Sequence, residues 1–167
     1  PAQVHDIKAA IRFLRSRAAE FRLDPKRIAI AGASAGGHLA ALVGVTNGHR
    51  ELEGSVGVTA ESSDVRAIVS FFGMSDFTTI LKQSTPHGLN VRVPALQLLL
   101  GGQPDEVPEL ARLASPVFHV GAKSPPLLLL HGDQDPQAPI NQSHELYGAY
   151  KQAGRTVHFE VIHGGAH

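Results

Sequence analysis

Short apolar runs alternate with longer amphipathic segments along this chain. Four runs of apolar, β-type residues lie at 27–31, 65–72, 126–130 and 157–162. Between the runs, apolar residues recur every three or four positions, which is the spacing of a helix buried on one side. The helices predicted in this way are 3–21, 35–46, 94–100, 106–113 and 139–153. Strands separated by helices indicate an α/β fold with a parallel sheet and helices on both faces.

The first helix has the clearest periodicity. Six apolar residues share one stripe of the helix, namely Val4, Ile7, Ile11, Leu14, Ala18 and Phe21. Four basic residues fall on the remaining surface, namely Lys8, Arg12, Arg15 and Arg17. We expect the apolar stripe to face the core and the basic residues to be solvated, because an isolated buried cation is costly.

The chain of 167 residues has the size of a single domain, and it contains no repeat or low-complexity linker. Residues 74–115 lack a clear period, and about 74–112 form a variable region within the predicted domain 1–167. Their apolar side chains have two interpretations. Either they form a lid over a bound apolar group, or they bury the short helices of the region against one another.

Composition excludes several classes of function. Fifteen basic and fifteen acidic residues give a net charge of zero, so no nucleic acid or anionic membrane surface is predicted as a partner. No apolar run approaches the 18 residues or so that a membrane span requires. The absence of cysteine excludes disulfides and a thiol nucleophile, and it leaves the cellular compartment open. The ten histidines lack metal-site spacing, so neither a metal nor a cofactor is predicted.

A serine between two glycines stands at the first strand-to-helix junction. Residues 32–36 read Gly-Ala-Ser-Ala-Gly, directly after the strand at 27–31. This pattern in this context is the nucleophile elbow, a strained turn that exposes a reactive serine. We expect Gly32 and Gly36 to give the turn its clearance, and Ser34 to be the nucleophile. The alternative is a flexible glycine turn that caps a helix.

The other strand ends carry the remaining parts of a catalytic triad. A serine hydroxyl becomes a good nucleophile when an imidazole accepts its proton and a carboxylate orients that imidazole. Residues 131–135 follow the third strand and contain two aspartates, and residues 163–167 follow the fourth and contain two histidines. In a parallel sheet these carboxyl ends lie along one edge. The resulting order of serine, aspartate and histidine is the one associated with α/β-hydrolases.

The segments Gly32–Ala40, His131–Pro136 and Gly164–His167 together resemble the α/β-hydrolase fold. More narrowly, they are similar to the carboxylesterase branch that includes hormone-sensitive-lipase-like and bifunctional feruloyl/acetylxylan esterases. The resemblance implies the C-terminal portion of that fold and a serine carboxylesterase. Its substrates would be short-chain acyl or arylacyl esters of small molecules, cleaved through an acyl-enzyme. One alternative is a peptidase or formamidase on the same fold, and another is a non-catalytic fragment or interaction module.

The resemblance also assigns the site residues. The family acid in a His-Gly-x-x-Asp turn corresponds to Asp135, with Asp133 as its local rival. The family histidine follows a glycine-rich loop and corresponds to His167, with His163 as its rival. Together with Ser34, these two residues form the predicted triad.

The oxyanion hole is only partly represented in this sequence. One donor is expected to be the backbone N–H of Ala35, directly after the nucleophile. The other donors in this family come from a His-Gly-Gly type loop after an earlier strand, and the sequence contains no such loop. We therefore expect this chain to be part of a longer sequence. Without the earlier strands, the strand at 27–31 would be an exposed edge of the sheet. An N-terminal segment or a second copy in a homodimer would cover that edge.

Overall fold

The computed structural model describes residues 1–167. Its four strands are β1 (Ile30–Ala33), β2 (Ile68–Phe71), β3 (Leu127–Gly132) and β4 (Val157–Ile162). The α-helices are α1 (Ala2–Ser16), α2 (Ala35–Val45), α3 (Arg50–Glu53), α4 (Ile80–Gln83), α5 (Pro86–Leu100), α6 (Pro108–Leu113) and α7 (Asn141–Gln152). A single 3-10 turn spans Pro116–His119.

The strands form one sheet in the order β1-β2-β3-β4, and every neighbouring pair is parallel. The predicted parallel sheet is confirmed. β1 and β4 are its edges, and all four carboxyl ends point the same way. The turns after β1, β3 and β4 carry the candidate residues. They therefore lie together at the carboxyl-terminal end of the sheet.

The helices cover one face of the sheet. α1, α2 and α7 share a core with Ile68, Leu127 and Leu129, which point to the same side of their strands. The opposite side, called here the open face, is only partly covered. It includes Val69, Leu128 and Leu130 of the alternate positions, and Phe71 with 37 % of its surface exposed. Helices were expected on both faces, but residues 1–167 supply a helical layer on one.

The strand boundaries show where the apolar pattern was informative. β4 has the predicted bounds, because its apolar run is flanked by polar turns. For β3 a break was predicted at His131 and Gly132, and this was wrong. Both residues continue the strand, paired with Val161 and Ile162 of β4. A buried histidine and a glycine do not stop a strand whose backbone groups are paired on the neighbouring strand.

α5 is more than twice as long as predicted. Its first turn was placed at Pro94, because proline is favoured at the start of a helix. The helix begins instead at Pro86, where the side chain of Thr85 caps it by accepting from the N–H of Gly88 at 3.0 Å. Pro94 lies inside the helix, and Gly101 ends it with a φ of 78°. Proline alone did not distinguish a helix start from a helix interior.

Two of the four basic residues predicted to be solvated, Lys8 and Arg12, are buried. Lys8 and Arg12 are 0 % and 1 % exposed, whereas the apolar Phe21 is 44 % exposed. Lys8 and Arg12 bind the carboxylate of Glu53 at 3.0 and 2.6 Å. They also donate to backbone carbonyls, including that of Thr46 from Lys8. The prediction was wrong because it did not foresee a carboxylate and free carbonyls from the segment after α2.

The variable region forms a second, smaller core. Phe77 and Ile80 pack with Leu96 and Leu100 of α5 in a cluster separate from the main core. Of the two interpretations of its apolar side chains, mutual burial of the short helices therefore accounts for these four. Leu98 does not take part, and 89 % of its surface is exposed.

Candidate active site

Ser34 occupies a strained turn between β1 and α2. Its φ of 54° lies in the left-handed region that non-glycine residues rarely adopt. The backbone is held there because the Ser34 N–H donates to the carbonyl of Phe71 at 2.9 Å. A Cβ on Gly32 would lie 2.2 Å from the carbonyl oxygen of Gly36, so this close approach requires glycine. The geometry is that of a nucleophile elbow.

The second elbow glycine differs from the prediction. A Cβ added to Gly36 would meet no atom within 4 Å, so no contact within residues 1–167 requires glycine there. The close approach occurs one residue later. A Cβ on Gly37 would lie 2.8 Å from the carbonyl oxygen of Phe71, where α2 crosses β2.

Asp135 lies in the turn after β3, called here the acid turn (residues 133–138). Its side chain is fully buried, and its Oδ1 accepts from the N–H groups of Gln137 and Ala138, each at 2.8 Å. Burial by itself raises the pKa of this carboxyl. The hydrogen bonds from Ala138, His167 and Gln137 outweigh burial, so the pKa of Asp135 lies below its usual range.

His167 lies at the end of residues 163–167, called here the histidine loop. The loop lies directly against the acid turn, since Gln134 N–H donates to the carbonyl of Gly165 at 2.9 Å. This contact depends on Gly132, because a Cβ there would lie 2.1 Å from the Gly165 oxygen. The approach brings the imidazole of His167 to the buried carboxylate.

The structure joins the three predicted residues in series. His167 Nδ1 donates to Asp135 Oδ2 at 2.8 Å, because an ionised carboxylate only accepts. His167 Nε2 is then free to accept from the hydroxyl of Ser34, also at 2.8 Å. The ring of Phe72 lies beside the imidazole, with 4.5 Å between the two ring centroids. The histidine side chain is 19 % exposed, so the series remains open to solvent on one side.

The rival residues form a pair of their own. His163 Nδ1 donates to Asp133 Oδ2 at 2.9 Å, and Gly164 N–H donates to Asp133 Oδ1 at 2.8 Å. The hydrogen bond from His163 is the largest cause that lowers the pKa of Asp133. Neither rival contacts Ser34 by a hydrogen bond. Their position ties the acid turn to the histidine loop on its solvent side.

Two further histidines support the site from the interior. His131 is 1 % exposed, and its Nε2 donates to the carbonyl of Ala138 at 2.9 Å. Its Nδ1 accepts from the hydroxyl of Ser143 at 2.7 Å. Burial lowers the pKa of His131, and it lowers that of His38 to about 4. Both rings are therefore neutral at pH 7. His131 braces the acid turn through Ala138, whereas His38 holds α2 by donating from Nε2 to the carbonyl of Ala114 at 2.7 Å.

The N-terminus of α2 lies directly behind the nucleophile. Since the helix begins at Ala35, its N–H is among the first-turn groups that have no acceptor within the helix. The positive end of the helix dipole adds to the same field. A negative oxygen next to Ser34 would be stabilised at this end of the helix, where Ala35 is the first residue.

A cavity of about 590 Å³ lies elsewhere. It is bounded by the start of α1, by α2 and α6, and by the end of α5. It includes His38 but none of the three residues of the series. No group of three or more His, Asp or Glu side chains is arranged to hold a metal ion. No helix has the length and apolar character needed to cross a membrane.

Sequence reasoning missed several residues around the site. Phe72, with a φ of 40°, precedes Gly73 and was taken only as the end of a strand. Ser143 and Arg92 reach the acid turn from distant elements, through His131 and Gln137 respectively. Only the position of Phe72 after a strand gave a signal, since nothing local indicates the long-range contacts of the others.

Comparison with known proteins identifies the family. The BD-FAE family model matches residues 1–150. The chain belongs to the BD-FAE family. The match contains Ser34 and Asp135 but ends before the histidine loop. The parallel sheet and the elbow, taken with the solved structures below, give this BD-FAE chain the α/β-hydrolase fold, as the resemblance implied.

Named relatives are esterases. The chain is 31 % identical to Esterase LipQ of Mycobacterium tuberculosis, over all of this chain and 38 % of that protein. It superposes on a truncated carbohydrate esterase from gut microbiota with a TM-score of 0.90 and 38 % identity. That match covers 99 % of this chain and 61 % of the other.

A third relative is esterase 2 of the Planctomycetes species Thermogutta terrifontis. Its propionate-bound structure gives a TM-score of 0.73 and 31 % identity, over 98 % of this chain and 54 % of that one. The same esterase has been solved with butyrate bound and after phosphonylation by sarin. The BD-FAE chain thus spans between about two-fifths and three-fifths of the length of these three relatives.

Proposed function

We propose that this chain carries the nucleophile, base and acid of a serine carboxylesterase. The observation that carries the proposal is the series of two 2.8 Å hydrogen bonds from Ser34 through His167 to Asp135. The strained turn at Ser34 and the α2 N-terminus behind it support the same assignment. The names of the relatives agree with ester hydrolysis.

The reaction proceeds through an acyl-enzyme. His167 Nε2 takes the Ser34 proton as Oγ forms a bond to the ester carbonyl carbon, and the carbonyl oxygen becomes negative. Ala35 N–H donates to that oxygen, while Asp135 stabilises the imidazolium. The tetrahedral intermediate collapses, the alcohol leaves, and His167 returns the proton to it. Water then repeats these steps, breaks the acyl–Oγ bond and releases the acid.

The proposed substrates are short-chain acyl or arylacyl esters of the feruloyl or acetyl type. The carbohydrate esterase relative supports an ester carried by a sugar chain. Propionate and butyrate bound to the Thermogutta esterase support a short acyl group. The chain has no tryptophan and only 5 % aromatic residues, so we place recognition on the ester rather than on a stacked sugar.

The remaining oxyanion donors are proposed to come from a segment outside residues 1–167 or from a second copy. Either would pair with β1, which is an edge strand in this chain. Loss of one donor costs about 10²–10³ in turnover, so the full rate requires that segment or that second copy.

Hydrolysis of p-nitrophenyl acetate and butyrate tests the function, with Ser34→Ala measured in parallel. We expect the wild-type rate to exceed that of Ser34→Ala by at least about 10³-fold. Ser16→Ala, at an exposed serine of α1, is the matched control and should keep the wild-type rate. Equal rates for wild type and Ser34→Ala would show only background cleavage by exposed histidines. That result would favour a non-catalytic interaction module.

A further inference from the structure

Helix α5 lies on the acid turn through a single stripe of its surface. Thr85, Gly88 and Arg92 are spaced by three and four residues, so they share one side of the helix. Thr85 Oγ1 donates to the carbonyl of Pro136, and Arg92 Nη2 donates to that of Gln137, each at 2.6 Å. A Cβ on Gly88 would lie 3.1 Å from the Gln137 oxygen. The helix therefore reaches the backbone of the turn itself.

The same two peptide groups hold the carboxylate of Asp135. The Pro136–Gln137 peptide accepts from Thr85 through its C=O and donates to Asp135 Oδ1 through its N–H. The following peptide accepts from Arg92 and donates to the same oxygen. Each peptide is thus the middle of a two-bond chain from α5 to the carboxylate. Hydrogen bonds in such chains polarise and strengthen one another.

Arg92 is buried although it has few hydrogen-bond partners. The residue is only 6 % exposed, and its buried Nε has no hydrogen-bond partner. Burial lowers the pKa of the guanidinium, and the negative charge of Asp135 acts in the opposite direction. A buried cation is costly unless a nearby anion offsets it. The acid of the proposed triad is the anion whose charge acts on it.

We propose that Arg92, assisted by Thr85, is a positioning residue that fixes the Asp135 carboxylate through the peptide groups of the acid turn. The proposal rests on the proposed function, because it takes Asp135 as the acid that orients His167. It makes the orientation of the acid depend on α5 being docked. The variable region then contributes to the chemical step without touching substrate.

A double-mutant cycle with Asp135 tests this proposal. Arg92→Met and Arg92→Lys are made in the wild type and in Asp135→Asn. The readouts are kcat and KM for p-nitrophenyl acetate and the rate of inactivation by diethyl p-nitrophenyl phosphate. Arg112→Met, at an exposed arginine of α6, is the matched control and should leave all three unchanged.

In the wild type, Arg92→Met should lower kcat and the inactivation rate by about tenfold and leave KM within about twofold, since the loss is in the chemical step. Arg92→Lys restores a donor and a charge, so it should recover most of that loss. In the Asp135→Asn background the same Arg92→Met change should alter the rates by less than about twofold, because residues that act as a unit are not additive.

Three results would overturn the proposal. The first is an equal loss in both backgrounds, which would place the effect of Arg92 outside Asp135. The second is a change in KM alone, which would make α5 a substrate contact. The third is an equal loss in Arg112→Met.

If Arg92→Met does not fold, Thr85→Val replaces it in the cycle. We expect a loss of about threefold that vanishes in Asp135→Asn, and no loss would refute the proposal. Equal rates for wild type and Ser34→Ala would instead refute the proposed function itself. A Ser34-dependent rate that is indifferent to Arg92 would refute only the positioning.

Discussion

The two aspartates of the acid turn lie two positions apart in the sequence and bind different histidines. Asp135 binds His167 and is fully buried, whereas Asp133 binds the exposed His163. The His-Gly-x-x-Asp spacing selected Asp135 from the sequence, and in the structure Asp135 is the aspartate whose carboxylate accepts from His167. The sequence alone did not reveal the pair formed by the rivals, because a turn of this length brings both aspartates to the loop.

Replacing each aspartate by asparagine separates their contributions. We expect Asp135→Asn to lower kcat by about 10³- to 10⁴-fold, since the amide no longer fixes the His167 tautomer or stabilises its cation. Asp133→Asn is the matched control, and its exposed pair should contribute little to the chemical step. Steady-state kinetics on p-nitrophenyl acetate measures both. A larger loss in Asp133→Asn would reverse the assignment.

At Gly132 a single added carbon atom would disturb the geometry of the site. Gly132→Ala would place a Cβ 2.1 Å from the Gly165 oxygen and push the histidine loop from the acid turn. We expect a loss of at least about 2 kcal/mol in unfolding free energy, together with loss of esterase activity.

Gly148→Ala is the matched control for Gly132→Ala. Gly148 lies on the exposed side of α7, with nothing within 4 Å of an added Cβ, so alanine there should raise the unfolding free energy by about 0.5 kcal/mol. Denaturant unfolding measures both variants. An unchanged midpoint for Gly132→Ala would contradict the close approach.

At the scale of elements, α1 is joined to the segment after α2 by charge as well as by apolar contact. Glu53 accepts from Lys8, Arg12 and the hydroxyl of Ser63. Burial raises the pKa of Glu53, but these three donors together hold it below its ordinary value. The folded state therefore favours the ionised carboxylate. This contribution to stability is complete above the unfolded pKa and is lost as pH falls through the folded one.

Glu53→Gln should lower the unfolding free energy at pH 7 by about 3 kcal/mol, because two buried cations lose their anion. As pH falls through the lowered pKa of Glu53, the difference between wild type and Glu53→Gln should shrink, because the carboxyl becomes protonated. Thermal unfolding across pH 3–7 measures this difference. Glu51→Gln, at an exposed neighbour, is the control, and a pH-independent gap between wild type and Glu53→Gln would contradict the account.

Periodicity predicted the elements that are held by apolar packing. It missed the features that depend on polar contacts with residues distant in sequence. α2 and β4 have their predicted positions, because their apolar residues pack against the sheet and α7. The first eight residues of α5 were not predicted, since they dock through polar contacts of Thr85 and Arg92 with the acid turn. The burial of Lys8 and Arg12 was missed for the same reason. Such contacts join residues about 40 positions apart or more, and no local pattern encodes them.

At the scale of the whole molecule, one face of the sheet is uncovered, and the edge strands β1 and β4 have no neighbouring strand on their outer sides. The open face includes Val69, Leu128 and Leu130, and β1 has unpaired backbone groups along its outer side. An apolar sheet face and a bare edge both favour association with other chains. The edge position of β1 was expected from the sequence, whereas the helical layer was expected on both faces and is formed on one.

We therefore expect residues 1–167, prepared alone, to self-associate with rising concentration. Ile162→Lys adds a charge at a position on the open face that is already 46 % exposed, and it should weaken the association without unfolding the chain. Val56→Lys, at a comparably exposed position outside the sheet, is the control. Sedimentation velocity measures all three. A concentration-independent monomer would contradict an exposed apolar face.

The most direct test of the central claim is to locate an organophosphate adduct by mass spectrometry. Diethyl p-nitrophenyl phosphate reacts with a serine only where a base activates it, and a related adduct is known for the Thermogutta esterase. We predict a single diethylphosphoryl group on Ser34 of the wild type, and labelling slowed by at least about 10³-fold in His167→Gln. No adduct, or an equal rate of labelling in His167→Gln, would show that Ser34, His167 and Asp135 do not act as a catalytic unit.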